Sequence, residues 1–120
     1  MSCVFEANGV TLWNPSNTVA RLFKAEAEAV ASAFHVPSGL GDIVDDECQV
    51  DLGALQAFVA ESTKAYQQSV HPILKSLTIS VIATAGVLVQ RAGGSFPALD
   101  PTVDAAWTQM RSDYGSSMSR

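Results

Sequence analysis

The stretch DLGALQAFVAESTKAYQQSVHPILKSLTISVIATAGVLVQRA, Asp51–Ala92, decides the fold. Its marks at Leu52, Leu55, Phe58, Val59, Ser62, Tyr66, Val70, Ile73, Leu77, Val81 and Leu88 recur with helical spacing. Asp51 stands where an N-cap carboxylate is wanted, and Gly93-Gly94 ends the run. Pro72 sits inside it. A proline removes one helical hydrogen bond and its ring clashes with the preceding turn, so a kink or restart is expected at His71-Pro72. A straight helix of this length would reach about 60 Å at 1.5 Å per residue, long for a small domain. The expectation is therefore a kinked pair, about 51–70 and 72–92. Its longest uncharged part, Ser76–Val89, falls short of the ~20 residues a membrane span needs and reads as a buried helix, with no membrane role expected.

Upstream, Asn14-Pro15-Ser16-Asn17 supplies cap residues and a proline suited to a first helical turn. A helix over 16–35 follows, with Val19, Leu22, Phe23, Ala27, Val30, Ala33 and Phe34 on one apolar face and Arg21, Lys24, Glu28 and Ser32 opposite. Pro37, Gly39 and Gly41 stop it. Residues 3–13 alternate around Asn8-Gly9, the dipeptide that best accommodates a two-residue hairpin turn. Such a turn pairs Ala7 with Val10, Phe5 with Leu12 and Val4 with Trp13, and puts Cys3, Phe5, Ala7, Val10 and Leu12 on one face. Residues 37–50 read as an acidic loop. Asp100-Pro101 opens a short last helix to about Asp113, with Val103, Ala106, Trp107 and Met110 on its apolar side, and 114–120 read as a loose tail. The expected fold is mainly α: a single helical domain over 1–120, a bundle of two long helices, the second kinked at Pro72, with a short C-terminal helix and an N-terminal β-hairpin.

Hydrophobic residues make up 48% of the 120 residues and charged ones only 16%. So few charges leave apolar surface uncovered, which points to a second subunit and a homodimer. The net charge of −5 repels phosphate backbones. Arg21, Lys24, Lys64, Lys75, Arg91, Arg111 and Arg120 are scattered along the chain and make no basic stripe, so no nucleic-acid partner is expected. A basic protein partner suits the acidic balance. Cys3 and Cys48 without a basic, apolar leader read as reduced cytoplasmic thiols, with export by a route that uses no cleaved signal as the second possibility.

Catalytic, cofactor and metal signals are weak. Five carboxylates between Asp42 and Asp51 lack the spacing that wraps a calcium ion, and they read as solvated acids. His35 and His71 stand in no metal-ligand spacing, and Cys48 beside Glu47 is a poor nucleophile. Gly39-Leu40-Gly41 and Gly93-Gly94 make no phosphate cradle, so no cofactor is expected. Glu26 falls near the middle of the first helix's apolar face, where a carboxylate must pair, snorkel or take up a proton. Pairing with Tyr66, His71 or Lys75, or burial in a dimer seam, would satisfy it. Trp13 and Trp107 are the large rigid groups best suited to anchor a contact. The candidate interaction or pocket residues are thus Trp13, Glu26, Tyr66, His71 and Trp107.

Leu12-Trp13-Asn14-Pro15, Arg21-Leu22-Phe23, Asp46-Glu47-Cys48-Gln49-Val50-Asp51 and Val89-Gln90-Arg91-Ala92-Gly93-Gly94 resemble a family of small actinobacterial proteins of unknown function. That resemblance implies a bacterial origin and no activity. In size and helix–turn–helix layout the chain is also similar to the helical-hairpin proteins of type VII (ESX-like) secretion. It departs from them where Ser38-Gly39-Leu40-Gly41 replaces their Trp-x-Gly, and where Tyr114 leads into Ser and Met in place of Tyr-x-x-x-Asp/Glu.

The leading expectation is a non-enzymatic protein–protein interaction module that homodimerises. A small-ligand or catalytic pocket where Glu26, Tyr66 and His71 converge is the second, and an acidic partner or inhibitor of a basic secreted or toxin protein the third.

Overall fold

The N-terminal half of the chain forms two hairpins, not one. In the computed structural model, which describes residues 1–120, β1 (Val4–Ala7) and β2 (Val10–Trp13) are joined by Asn8-Gly9, and β3 (Leu40–Val44) and β4 (Glu47–Val50) by Asp45-Asp46. All four turn residues have positive φ (51°, 79°, 52° and 61°), the backbone a two-residue turn needs to match the twist of its strands. Asp-Asp thus does here what Asn-Gly does in the first hairpin, because short polar side chains tolerate the left-handed region. The strand order is β2-β1-β4-β3, with the two inner strands parallel: Val4 opposite Glu47, Phe5 opposite Cys48, Glu6 opposite Gln49. The crossover between the hairpins is α1 (Asn17–Ala33), and α2 (Leu52–Gln68), α3 (Pro72–Arg91) and α4 (Pro101–Gly115) follow.

The mainly α bundle with a lone N-terminal hairpin expected from the sequence is therefore wrong. The molecule is a mixed four-stranded sheet packed with four helices. What reads as an acidic loop over 37–50 is a strand pair: Cys48 and Val50 point inward while Glu47 and Gln49 face out. Acids are poor strand formers, and they mask that alternation. The partner strand that makes it worthwhile, β1, lies far away in sequence.

The first hairpin also corrects its expected register. Ala7 pairs with Val10 and Glu6 with Thr11, but a bulge then sets Phe5 opposite Trp13, not Leu12. The extra residue turns both Leu12 and Trp13 inward and leaves Val10 exposed. Phe5 stacks on Trp13 at 5.3 Å, and Phe23 of α1 meets both rings edge-on at 5.8 and 5.6 Å. This aromatic trio ties sheet to helix, each pair adding about 0.5–1.5 kcal/mol beyond burial.

Ser16 caps α1, its Oγ accepting from the Val19 amide at 3.2 Å. The helix buries Ala20, Phe23, Ala27, Val30 and Ala31, while Val19, Leu22 and Ala33 face out. The inward stripe is therefore rotated from the one expected. Gly39 (φ 79°) carries the chain past α2, where a Cβ would lie 2.3 Å from the Leu55 amide nitrogen. Only glycine fits.

At Pro72 the chain reverses and does not merely kink. Ser69–His71 separate α2 from α3, and the two pack along each other as a helical hairpin. Asp51 caps α2, and His71 caps α3, its Nδ1 accepting from the Leu74 amide at 3.4 Å. Length and composition alone would let α3 cross a bilayer, but half of its most apolar window is buried in the fold. Arg91, at its end, donates to the carbonyls of Leu12 (2.8 Å) and Gly115 (3.1 Å), joining β2, α3 and α4. Trp107 pins α4 down. Residues 116–120 return to the core, where Met118 is buried and the Asn14 amide donates to the Ser119 carbonyl at 2.9 Å.

Candidate functional site

A groove of about 500 Å³ opens between α1, α3 and the end of α4. Its floor is apolar and buried: Trp13, Phe23, Val81 and Met118. Its lip is apolar and exposed, with Val19 at 46% and Leu22 at 58% of full exposure. Helical spacing explains the split on α1. Residues three and four apart share a face, so Val19, Leu22, Phe23 and Glu26 line up, and the groove cuts along that row.

Ser80, Val81 and Thr84 form the α3 wall. By the same spacing Leu77 and Ile73 extend this stripe toward the start of α3, and they are 69% and 61% exposed. Small residues sit beside them, Ser76 and Ser80 on α3 and Ala25 and Ala29 on α1, all exposed. The result is two helix faces with large apolar side chains uncovered and room for another backbone to approach.

The charge of the groove is one-sided. Glu26 and Asp113 line it, and no Lys or Arg does. Asp113 accepts from the Gln109 side chain at 2.9 Å. The chain's one ion pair, Lys24–Glu28 at 3.1 Å, lies elsewhere on α1.

Of the residues singled out from the sequence, the groove brings together Trp13 and Glu26. Glu26 is exposed within this chain, not buried, and forms no ion pair. Tyr66 and Trp107 meet each other instead, edge-on at 5.2 Å, with the Lys75 ammonium 4.4 Å above the Tyr66 ring. His71 is an exposed helix cap. Glu26, Tyr66 and His71 therefore do not converge on one cavity. Sequence reasoning missed the outward role of Val19 and Leu22 and the place of Asp113. The signal was present in α1, whose apolar residues span too wide an arc for one buried stripe.

Other chemistry finds little support. Both thiols are buried and free. Burial pushes the Cys48 thiol up to about 11 against the pull of the Lys24 charge, and burial together with Asp46 and Glu47 raises Cys3. Both are protonated at neutral pH and are poor nucleophiles. Asp45 and Asp46 occupy a turn, and no three His, Cys, Asp or Glu side chains stand together as a metal cage.

The chain belongs to a family of unknown function, DUF6086, which matches residues 1–120. No curated protein and no solved structure matches it.

Proposed function

We propose that this chain is a non-enzymatic protein-interaction module that takes an apolar, basic helix of a partner protein into the α1–α3–α4 groove. One observation carries the reading: exposed Val19 and Leu22 border a buried apolar floor whose charged neighbours are carboxylates, and exposed Leu77 and Ile73 continue the α3 wall beyond it. Covering a large apolar side chain completely yields about 1.5–3 kcal/mol. Four half-covered ones therefore offer on the order of 5 kcal/mol, comparable with the lower cost of bringing two molecules together. A lysine or arginine reaching Glu26 or Asp113 would add selectivity.

A second copy of the chain fits this groove less well. A twofold interface uses the same patch twice, so it sets Glu26 and Asp113 of both copies into one dry seam with no cation in the lining. A catalytic reading would have to use Glu26 or Asp113 as its base, since neither histidine lines the groove. A bacterial cytoplasmic setting accords with the resemblance to small actinobacterial proteins. α2 and α3 do form a helical hairpin, but their connector Ser69-Val70-His71 carries no Trp-x-Gly, so kinship with type VII secretion proteins adds nothing to the groove.

The test uses a designed amphipathic Leu/Ala helix bearing two lysines on its flank, and the same peptide with glutamates. Trp13 fluorescence in a Trp107→Phe background and amide exchange are the readouts. The lysine peptide is expected to bind and to slow exchange across residues 19–26 and 73–84, the glutamate peptide to fail, and Leu22→Glu to abolish binding. Failure of both peptides overturns the proposal, as does a two-chain mass by light scattering that Leu22→Glu splits.

A further inference from the structure

On the other side of α4 lies a second hollow, of about 450 Å³, between the ends of α3 and α4. Arg91, Arg111 and Arg120 line it with Gln90, Thr108 and Ser112, and no acidic side chain does. Three of the seven Lys and Arg residues of a chain with net charge −5 thus meet in one place. None is in an ion pair, since the one pair in the chain is Lys24–Glu28. Like charges do not gather without a counterweight unless something offsets them.

The structural duties of these arginines leave most of that charge unanswered. Arg91 uses two of its five N–H donors on the Leu12 and Gly115 carbonyls. Burial and then the charge of Arg120 lower its pKa, so the two cations feel each other. Arg111 lies 3.8 Å over the Phe96 ring and donates to the Thr108 hydroxyl at 3.2 Å. Asp104 acts on Arg111 from the Phe96 side, in a neighbouring cleft outside this hollow. Arg120 has no side-chain duty of that kind. The C-terminal ends of α3 and α4 also face this region, each contributing roughly half a negative charge. The side chains that line the hollow nonetheless leave it net positive.

We infer that this pocket binds the phosphate of a small phosphate monoester, gripped by the guanidinium forks of Arg91, Arg111 and Arg120 and by the Ser112 and Thr108 hydroxyls. A phosphate monoester carries about two negative charges and three acceptor oxygens, which suits the surplus and the planar donor forks better than a carboxylate does. The volume exceeds that of bare phosphate and falls in the range of small-molecule sites, leaving room for the ester's organic part.

Phosphorus NMR and calorimetry on the purified chain test this with inorganic phosphate, glucose 6-phosphate, a phosphoserine hexapeptide and acetate. Glucose 6-phosphate is expected to bind saturably, at least tenfold more tightly than acetate and more tightly than the peptide. Arg120→Gln should weaken it about tenfold while the unfolding midpoint stays put. Arg111→Lys, which keeps the charge but loses the fork, should weaken it several-fold. The groove variant Leu22→Glu should leave it unchanged. The inference is overturned if no probe saturates, if binding is indifferent to Arg120→Gln and Arg111→Lys, or if the phosphopeptide binds best.

Discussion

The same two helices wall both hollows and give them opposite chemistry. To the groove α3 presents Ser80, Val81 and Thr84, and to the arginine pocket Val87, Gln90 and Arg91. α4 divides more sharply still: Arg111, Ser112 and Gly115 line the arginine pocket, while Asp113 and Tyr114 face the groove. Ser112 and Asp113 are neighbours in the chain and serve sites of opposite sign. A helix advances about 100° per residue, so it sorts charge by angle, and blocks of charge along the sequence are not required. A list of cations in sequence order therefore looks scattered when the folded surface is not.

The comparison can be broken most violently at α4 itself, the wall both sites share. Trp107→Ala removes the buried ring that meets Tyr66 and should cost about 3–5 kcal/mol, lowering the melting temperature by well over 10 °C for a domain of this size. Peptide and phosphate binding should fall together. Survival of one alone would show that α4 is not their common wall.

Arg91→Gln is expected to be milder and selective. Losing two charge-assisted bonds to carbonyls at the junction of β2, α3 and α4 should cost about 2–3 kcal/mol in denaturant titration. Phosphate binding should weaken, while the lysine peptide still binds the folded protein. Leu22→Glu makes the mirror-image test: exposed as it is, stability should move by no more than about 0.5 kcal/mol while peptide binding disappears.

The smallest effect belongs to Glu28, on the side of α1 that meets β3. Burial pushes its carboxyl up, but the Ser38 hydroxyl and the Lys24 ammonium outweigh it and hold the pKa below its usual 4.5. A depressed carboxylate contributes stability above the unfolded value that is lost as pH falls through the lower folded value. The side chain is 47% exposed, so the contribution should stay under about 1 kcal/mol. Glu28→Gln should flatten the stability profile on the acid side, as pH falls through 4.5 and below, and leave both sites alone, which acid titration of the urea midpoint checks.

Much of the local structure was legible before the fold was known. Ser16, Asp51 and Asp100-Pro101 mark helix starts by cap chemistry, Asn8-Gly9 marks a hairpin, and Pro72 marks a break. The candidate site was half legible. Trp13 and Glu26 do share the groove, but Tyr66, His71 and Trp107 lie elsewhere, and the lip residues Val19 and Leu22 were assigned to the core. The aromatic trio takes Phe23 into the core while Val19 and Leu22 stay exposed at the lip, a division that no helical wheel records.

By itself, the sequence determined where helices begin and end and that apolar stripes need cover, because propensity, capping and periodicity act over a few neighbouring residues. Tertiary structure alone decided that β4 pairs in parallel with β1, that α2 and α3 fold back on each other, which stripe of α1 is buried, and that three distant arginines meet. Each of those outcomes is a choice between competing partners far apart in the chain, settled by which packing buries the most apolar surface.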